Sequence, residues 1–482
     1  MPSPAGSASS TATPAVHAPT TTAPEDRISI PQRIAYGLGG TSFQLGSNLL
    51  NQLAQPIYTL TLGVNPVWIG TVQACARLWD AGIDPAVGTW SDNFRSRFGR
   101  RRPFIVAGAI LTGLFFPLLW WVPRSFSNVA AFIYFLVASL IFYTFFALYS
   151  VTYQTLGLEL TPDYHERTRV MVVRTLLNQI ATMGMPWIFW LCQWDRFGDT
   201  LTGARVVSLG AGLAIVGLGV LPGLLLKERY YKLSQKQPKQ RHVDALIEPF
   251  KNRPFLIVAG IVLLVGAGIS TVESLGLYMN VYYVAQGDKK FGAALLALNF
   301  GTTVGVLSMA STFGFNLLAG RVSKLTMLRA CIVLAMLGSL SSWFLYTPAM
   351  PYLQLLVPIL TAPAISGFWI YTNSMKMDVT DYDEWKCGKR REGIFGAASA
   401  WTYKAGASVT YLFTANIVMW IGFDSTPGTA QTEHFVQMVR LSFAVVPFLL
   451  FAAALYLTRY FEITESLAGK IRHELESRRE RV

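Results

Sequence analysis

The sequence predicts an all-α membrane protein: twelve transmembrane helices in two six-helix halves. Three observations predict it. They are long unbroken apolar runs, a rhythm of basic loops between them, and one long basic segment at mid-chain. Of the 482 residues, 52% are hydrophobic and only 14% charged, against about a quarter charged in a soluble domain. The apolar residues run on through 103–122 and 202–226 instead of recurring at a half-buried period. Runs of about 20 apolar residues match the hydrocarbon thickness of a bilayer. Backbone polar groups must be satisfied within the chain there, so helix is the default.

Taken in order, the spans fall at 31–61, 67–91, 103–122, 128–157, 168–195 and 202–226, then at 254–284, 292–320, 327–346, 351–379, 393–420 and 434–461. Residues 1–30 are expected to be disordered. The first 26 are rich in Ser, Thr, Ala and Pro and cannot bury enough surface to fold. They also lack the positive segment and apolar core of a signal peptide. The spans group as 31–226 and 254–462. Between them lies the basic loop 227–253, in which residues 243–251 are expected to form a short interfacial helix. The tail is 463–482.

Loop charge sets the orientation. Arg95, Arg97, Arg100, Arg101 and Arg102 lie between spans 2 and 3, Arg167 and Arg169 between 4 and 5, and Lys386, Lys389, Arg390 and Arg391 between 10 and 11. The alternate loops are poor in Lys and Arg. The basic loops, and both termini with them, are therefore expected on the cytoplasmic side of the cell membrane.

A net charge of +13 suits nucleic acid only on the basic face of a soluble domain. Here the charge is spread over short loops, so no nucleic-acid partner is expected. Cys75, Cys192, Cys331 and Cys387 stand singly, without metal-ligand spacing. None of the five histidines lies in the interior of a span (His434 is the first residue of the last), so a proton relay inside the membrane has to use carboxylates. There is no nucleophile–base spacing, phosphate loop or metal cluster. An enzyme, a cofactor and a bound metal are not expected.

Polar residues inside spans are costly and face partners or water-filled cavities. Gln44, Asn48, Asn51 and Gln55 recur at i, i+4, i+7 and i+11, which puts four amides on one face of span 1. They read as a cavity wall. In span 2, Asp80 and Asp84 share a face, one turn beyond Arg77. Two carboxylates so close in low dielectric need a cation between them, which is what a coupling site requires. Arg77 pairs with Asp80 in this reading, and Asp84 is left as the free acid. Arg174 with Asn178, Glu273 with Asn280, and Lys404 place charges in both halves. Arg174 and Lys404 each have an acid as the bland alternative partner. Trp369 and Asn373, i and i+4, offer a flat ring beside an amide, which suits a sugar.

The stretch 76-ARLWDAGIDPAVGTWSDNFRSRFGRRRPFI-105 resembles the glycoside–pentoside–hexuronide:cation symporter family, and its tail resembles the sucrose-transporter branch. Tyr36–Gly39, Glu166-Arg167-Thr168 with Arg174, 252-NRPF-255, and Asp378 through Lys386 with Lys404-Ala405-Gly406 extend the resemblance over nearly the whole chain. It implies the major facilitator fold and a cation-coupled symporter for a sugar or glycoside, functional as a monomer. The family's melibiose-permease pattern puts its cation acids on Asp80 and Asp84. It puts substrate contacts on Arg174, Trp369 and Lys404.

The departures shape the expectation. Ile83 stands where the pattern has an asparagine, and Ala147 where it has a cation-site threonine. Gln44 and Ser150 replace sugar acids, and Gln154 replaces a tryptophan. Sodium needs several oxygens and a proton needs one carboxylate, so H⁺ is expected rather than Na⁺. Gln44, Asn48, Gln154, Arg174, Glu273, Trp369, Asn373 and Lys404 form the expected substrate site. The loop from Gly88 to Arg102 resembles the major-facilitator gate motif. Asp92 and Arg100 are the expected gate residues, mirrored by Asp381, Glu384 and Arg390. The alternative on the same fold is a lysolipid carrier, which needs an apolar track open to the bilayer; the amide stripe of span 1 argues against it.

Overall fold

The computed structural model describes residues 27–161, 164–226, 228, 244–318, 321–388, 391–426 and 430–479. Arg390, residues 1–26 and most of the 227–253 loop lie outside them. The described chain is helical, with no strand. The first six long elements are α1 (Ile30–Ala54, running into a π turn at Gln55–Thr59), α2 (Pro66–Asn93), α3 (Arg102–Phe115, then a 3₁₀ turn to Trp120), α4 (Asn128–Glu159), α5 (Tyr164–Cys192) and α6 (Thr200–Leu225). The next six are α7 (Arg253–Tyr278, then a π turn to Val284), α8 (Lys289–Leu318, with π turns over Ala297–Thr303), α9 (Lys324–Leu345), α10 (Pro358–Cys387, after a 3₁₀ turn from Pro351), α11 (Glu392–Trp420) and α12 (Glu433–Leu457). A 3₁₀ helix at Asp244–Lys251 precedes α7, and α13 (Glu465–Arg479) closes the chain.

The sequence starts these helices by a repeated device. The side chains of Asn65, Ser127, Asp199, Asn252, Asp288, Ser323 and Thr432 each accept a first-turn backbone N–H, satisfying donors that the helix cannot. Pro66, Pro103 and Pro254 occupy first-turn positions, where no N–H is missed.

Packing repeats after six helices. In the first half α1 packs on α5 and α6, α3 on α4 and α6, and α2 on α4. In the second α7 packs on α11 and α12, α9 on α10 and α12, and α8 on α10. Arg205 of α6 donates to the carbonyls of Trp120 and Val122 at the end of α3, and Arg440 of α12 donates to Trp343 O near the end of α9. Each guanidinium meets orphan carbonyls at the negative end of a helix. Both arginines lie inside predicted spans, and sequence reading missed them. The halves meet along α2–α11 and α5–α8, which the same repeat makes equivalent. Gly70 permits the first contact: a Cβ there would sit 2.6 Å from that of Ala415 and 2.9 Å from Tyr411 O.

The outward faces carry exposed Leu114, Leu213, Phe313, Phe344 and Val409, as a surface solvated by lipid requires. Eight of the long elements among the described residues are apolar enough to cross a bilayer on composition alone. The other four are α1, α2, α5 and α11, which carry most of the expected site.

Candidate functional site

Asp80 and Asp84 lie one turn apart on α2, at the seam with α11. Asp80 is fully buried. Lys404 of α11 reaches across the seam to both acids, with Nζ 2.8 Å from Asp80 Oδ2 and 2.6 Å from Asp84 Oδ2. Arg77 Nη1 lies 3.8 Å from Asp80 Oδ2. The arginine is held by Ser47 O of α1, 2.6 Å from Nη2, and by the Tyr143 ring, 5.3 Å from the guanidinium carbon. Asp84 is therefore not a free acid: the second half supplies its counter-ion. Two acids and two cations balance in charge, which offsets part of the penalty of burying them. Asp80 Oδ1 and Asp84 Oδ1 still have no hydrogen-bond partner. Each carboxylate thus has a buried oxygen that no described group satisfies.

The amide stripe of α1 divides by depth. Gln44 Nε2 lies 3.4 Å from Thr182 Oγ1 of α5, and Asn48 is half-exposed. Asn51 instead donates to Tyr143 OH at 3.1 Å, and its carbonyl accepts from Gln73 Nε2 at 3.1 Å. Gln55 Oε1 accepts from Thr59 at 2.8 Å and from Tyr278 OH of α7 at 3.2 Å. The upper two amides are packing links and not cavity wall. Period alone cannot separate these roles, because both put amides on the inner face.

Arg174 has no acidic partner within 4.0 Å among the described residues. Its guanidinium carbon sits 5.8 Å from the Tyr36 ring and 5.6 Å from that of Tyr153, with Nε unpartnered. Asn178 Oδ1, one turn on, is also buried and unpartnered. Neutralisation by an acid, the bland expectation, holds for Lys404 and fails for Arg174. Gln154 is exposed on α4, and no hydrogen bond from the described residues holds it. Glu273 is exposed on α7, with Tyr403 and Tyr411 of α11 as electrostatic neighbours and no ion-pair partner among the described residues. Trp369 meets Tyr403 edge-on at 5.5 Å, and Asn373 Oδ1 lies 3.4 Å from Lys376 Nζ. Tyr403, Tyr411 and Lys376 were missed in the sequence. For Lys376 the signal was there: it follows Trp369 and Asn373 at i+7 on the same helix.

At the end bearing the basic loops, the charge pairs among the described residues stay within halves. Asp92 Oδ1 lies 3.1 Å from Arg101 and 3.6 Å from Arg100, and Glu159 Oε1 binds both arginines at 2.8 and 3.0 Å. Glu228 accepts the backbone N–H groups of Arg100, Arg101 and Arg102 at 2.8, 2.7 and 2.9 Å, an anion on the positive end of α3. Asp381 and Glu384 lie on the matching end of α10. The pairs seen there run through Asp383 with Arg391 (3.1 Å), Arg391 with Glu248, and Asp378 with Lys324 (2.7 Å). Glu166 accepts from Ile28 N–H at 3.2 Å, Arg33 at 2.8 Å and Arg169 at 2.7 Å. Burial raises its pKa, but these three donors outweigh burial and hold the carboxyl below its ordinary value.

The opposite end is tied across the halves. Lys290 Nζ contacts Asp195 at 2.7 Å, Lys289 Nζ donates to Leu60 O at 2.7 Å, and Tyr278 bonds Gln55. Trp187 donates to Thr302 at 3.1 Å. The halves are thus tied to each other at one end of the bundle, while the pairs seen among the described residues at the end with the basic loops lie within each half.

Residues 35–465 match the family described as MFS/sugar transport protein. The chain is similar to the putative glycoside/cation symporter YagG of Escherichia coli, 25% identical over 93% of this chain and 95% of that one. It is likewise similar to the isoprimeverose transporter of Lactiplantibacillus pentosus, 22% identical over 98% and 96%. Among solved structures, the nucleoside transporter NupG superposes with a TM-score of 0.63 at 16% identity, covering 90% of this chain and 100% of that one.

Proposed function

The chain belongs to the MFS/sugar transport protein family, a family of membrane transporters and not of enzymes, and from that premise we propose that it is a proton-coupled symporter for a sugar or glycoside. The observation that carries the reading is Lys404, which reaches from the second half to two acids of the first. Relatives described as a glycoside/cation symporter and as an isoprimeverose transporter support the substrate class.

The chemistry follows from charge balance. With Asp80 and Asp84 ionised, Lys404 is drawn onto α2 and clamps the seam. A proton on Asp84 removes one negative charge and leaves Lys404 with a single acid, loosening the clamp. Gln44, Asn48, Gln154, Arg174, Glu273, Trp369 and Asn373 line the substrate site. The halves then rock about the seam, and the polar centre opens to one side at a time. A proton suits this site better than sodium. Lys404 already fills the inner side of both acids, Ile83 adds no oxygen, and buried Ala147 offers only a carbonyl that already accepts from Ser150.

The basic loops and both termini face the cytoplasm of a cell membrane, and one chain is a complete transporter. Asp92 and Arg100 serve the gate at that end, with Asp381, Glu384 and Arg390 in the second half. With that orientation, the ties across the halves through Lys290, Lys289 and Tyr278 lie at the extracellular end. The test is substrate-induced external alkalinisation in cells offered mono- and disaccharides, with Asp84→Asn as control. A sugar-specific alkaline pulse absent from Asp84→Asn is expected. Uptake stimulated by sodium at fixed pH, without alkalinisation, would overturn proton coupling. Silence across the panel with good expression would overturn the sugar reading and favour a lysolipid.

A further inference from the structure

Arg174, Lys376 and Glu273 lie inside the membrane without an ionic partner among the described residues, and unlike Arg205, Arg329 and Arg440 none of them is held by a carbonyl at a helix end. Their depths can be ordered through contacts. Arg77 of α2 bonds Ser47 O, and Gln44, a turn nearer the cytoplasm, reaches Thr182. Arg174 lies eight residues below Thr182 on α5, about 12 Å at the helical rise. On the other side, Trp369 meets Tyr403, the neighbour of Lys404, and Lys376 lies seven residues below Trp369, about 10 Å. Arg174 from the first half and Lys376 from the second therefore sit at one level, roughly two turns on the cytoplasmic side of Lys404. Glu273 lies on the other side of that level, beside Tyr403 and Tyr411.

The acids that could neutralise the two cations are engaged elsewhere. Asp80 and Asp84 are held by Lys404 and Arg77, and Asp378 by Lys324. Lys376 has only the Asn373 amide, and Arg174 only two aromatic faces and the Met171 sulfur at 4.0 Å. Two unpaired cations at one level inside a membrane are costly to keep. Such an arrangement is stable in use when a mobile anion completes it.

We propose that Lys376 is a substrate-binding residue, and that Lys376 and Arg174 together cradle an acidic group on the transported sugar. The inference rests on the sugar-symport reading and deepens it. Glu273, deeper in the cavity, takes hydroxyls from the uncharged part of the same molecule, where its charge is kept away from the acid. Guanidinium and ammonium both bind anionic oxygens, so a carboxylate and a phosphate ester share the required chemistry.

The test uses the purified full chain and a matched set: methyl β-D-glucopyranoside, its 6-carboxylate and its 6-phosphate. Affinities are read by calorimetry, and counterflow is read in proteoliposomes. At least one acidic member should bind tenfold or more tightly than the neutral one, and which one does identifies the acid. Lys376→Gln should collapse that ratio at least fivefold, Lys376→Arg should restore most of it, and Lys290→Gln at the far end should keep the wild-type ratio. Size exclusion and thermal unfolding check that each variant is folded. Neutral sugar bound as well as both acids, or an unchanged ratio in Lys376→Gln, overturns the proposal alone. Binding of none of the three overturns the sugar reading and this inference with it.

Discussion

The α2–α11 and α5–α8 seams occupy equivalent places in the six-helix repeat, yet they hold the halves together by opposite means. At α2–α11 the contact is ionic, with Lys404 between Asp80 and Asp84 and Arg77 behind them. At α5–α8 it is neutral and steric. Trp187 bonds Thr302, Gln179 lies 3.5 Å from Gly305 O, and Gly301 lets Met183 O approach where a Cβ would come within 2.6 Å. One proton can change the energy of the first seam by several kcal/mol, because it alters a buried charge balance. It cannot touch the second. The repeat duplicated the geometry, and the side chains made one copy a switch and the other a bearing.

The largest effect should come from Lys404→Ala. Losing one partner of a buried pair costs up to ~3–5 kcal/mol, because the other charge is stranded. Concentrative uptake should fall at least 100-fold, and the thermal unfolding temperature should drop. Adding Asp84→Asn should recover stability without recovering uptake, as charge balance requires. A Lys404→Ala protein that still concentrates substrate would erase the distinction between the seams.

Gly301→Ala tests the other seam. A methyl group forced against Met183 O should cost about 1–3 kcal/mol by overpacking and slow transport several-fold. Because no charge changes, the dependence on the coupling ion should stay as in wild type. A changed ion dependence, read from uptake against pH, would show that the seams are not chemically separate.

Glu166 asks whether charge on α5 acts only as an anchor at its end. Its folded pKa is depressed. Its stabilising contribution is therefore present above the unfolded value and is lost as pH falls through the folded one. Glu166→Gln should lower stability at neutral pH and flatten the acid limb of a stability–pH curve, with coupling unchanged. An acid limb as steep as wild type would refute this.

The smallest effect belongs to Lys290→Gln. The pair with Asp195 spans the halves beside the neutral seam, but the side chains are 42% and 84% exposed. An exposed pair is worth about 0–1 kcal/mol. Less than a twofold change in transport rate is expected, shrinking further in high salt. A tenfold change would mean that the far-end closure is ionic after all.

Much of this was legible before any coordinates. Apolar run length gave the long helices. The asparagines, serines, threonines and aspartates that cap the helices also carried a signal for the starts, which the span reading did not use. The two acids of α2 announced themselves, because carboxylates rarely enter a membrane without purpose. The polar stripe of α1 was correctly placed on an inner face, yet Asn51 and Gln55 turned out to be links and not wall. Lys376 was passed over in a span whose commonest residues are Leu, Ile and Pro, and Arg205 and Arg440 were missed because a helix-capping arginine has no sequence signature of its own. The acidic residues expected to mirror the gate, Asp381 and Glu384, share their helix end with Asp383, which carries the pair with Arg391.

The sequence by itself determined that the chain is helical, that it spans the membrane, and which residue types lie inside. Those follow from hydropathy, period and loop charge, all local along the chain. Only the tertiary structure decided the pairing: Asp84 with Lys404, 320 residues apart, and Arg174 with no acid at all. A charge in low dielectric is defined by what stands opposite it, and that distance is a property of how the helices pack, which no local pattern contains.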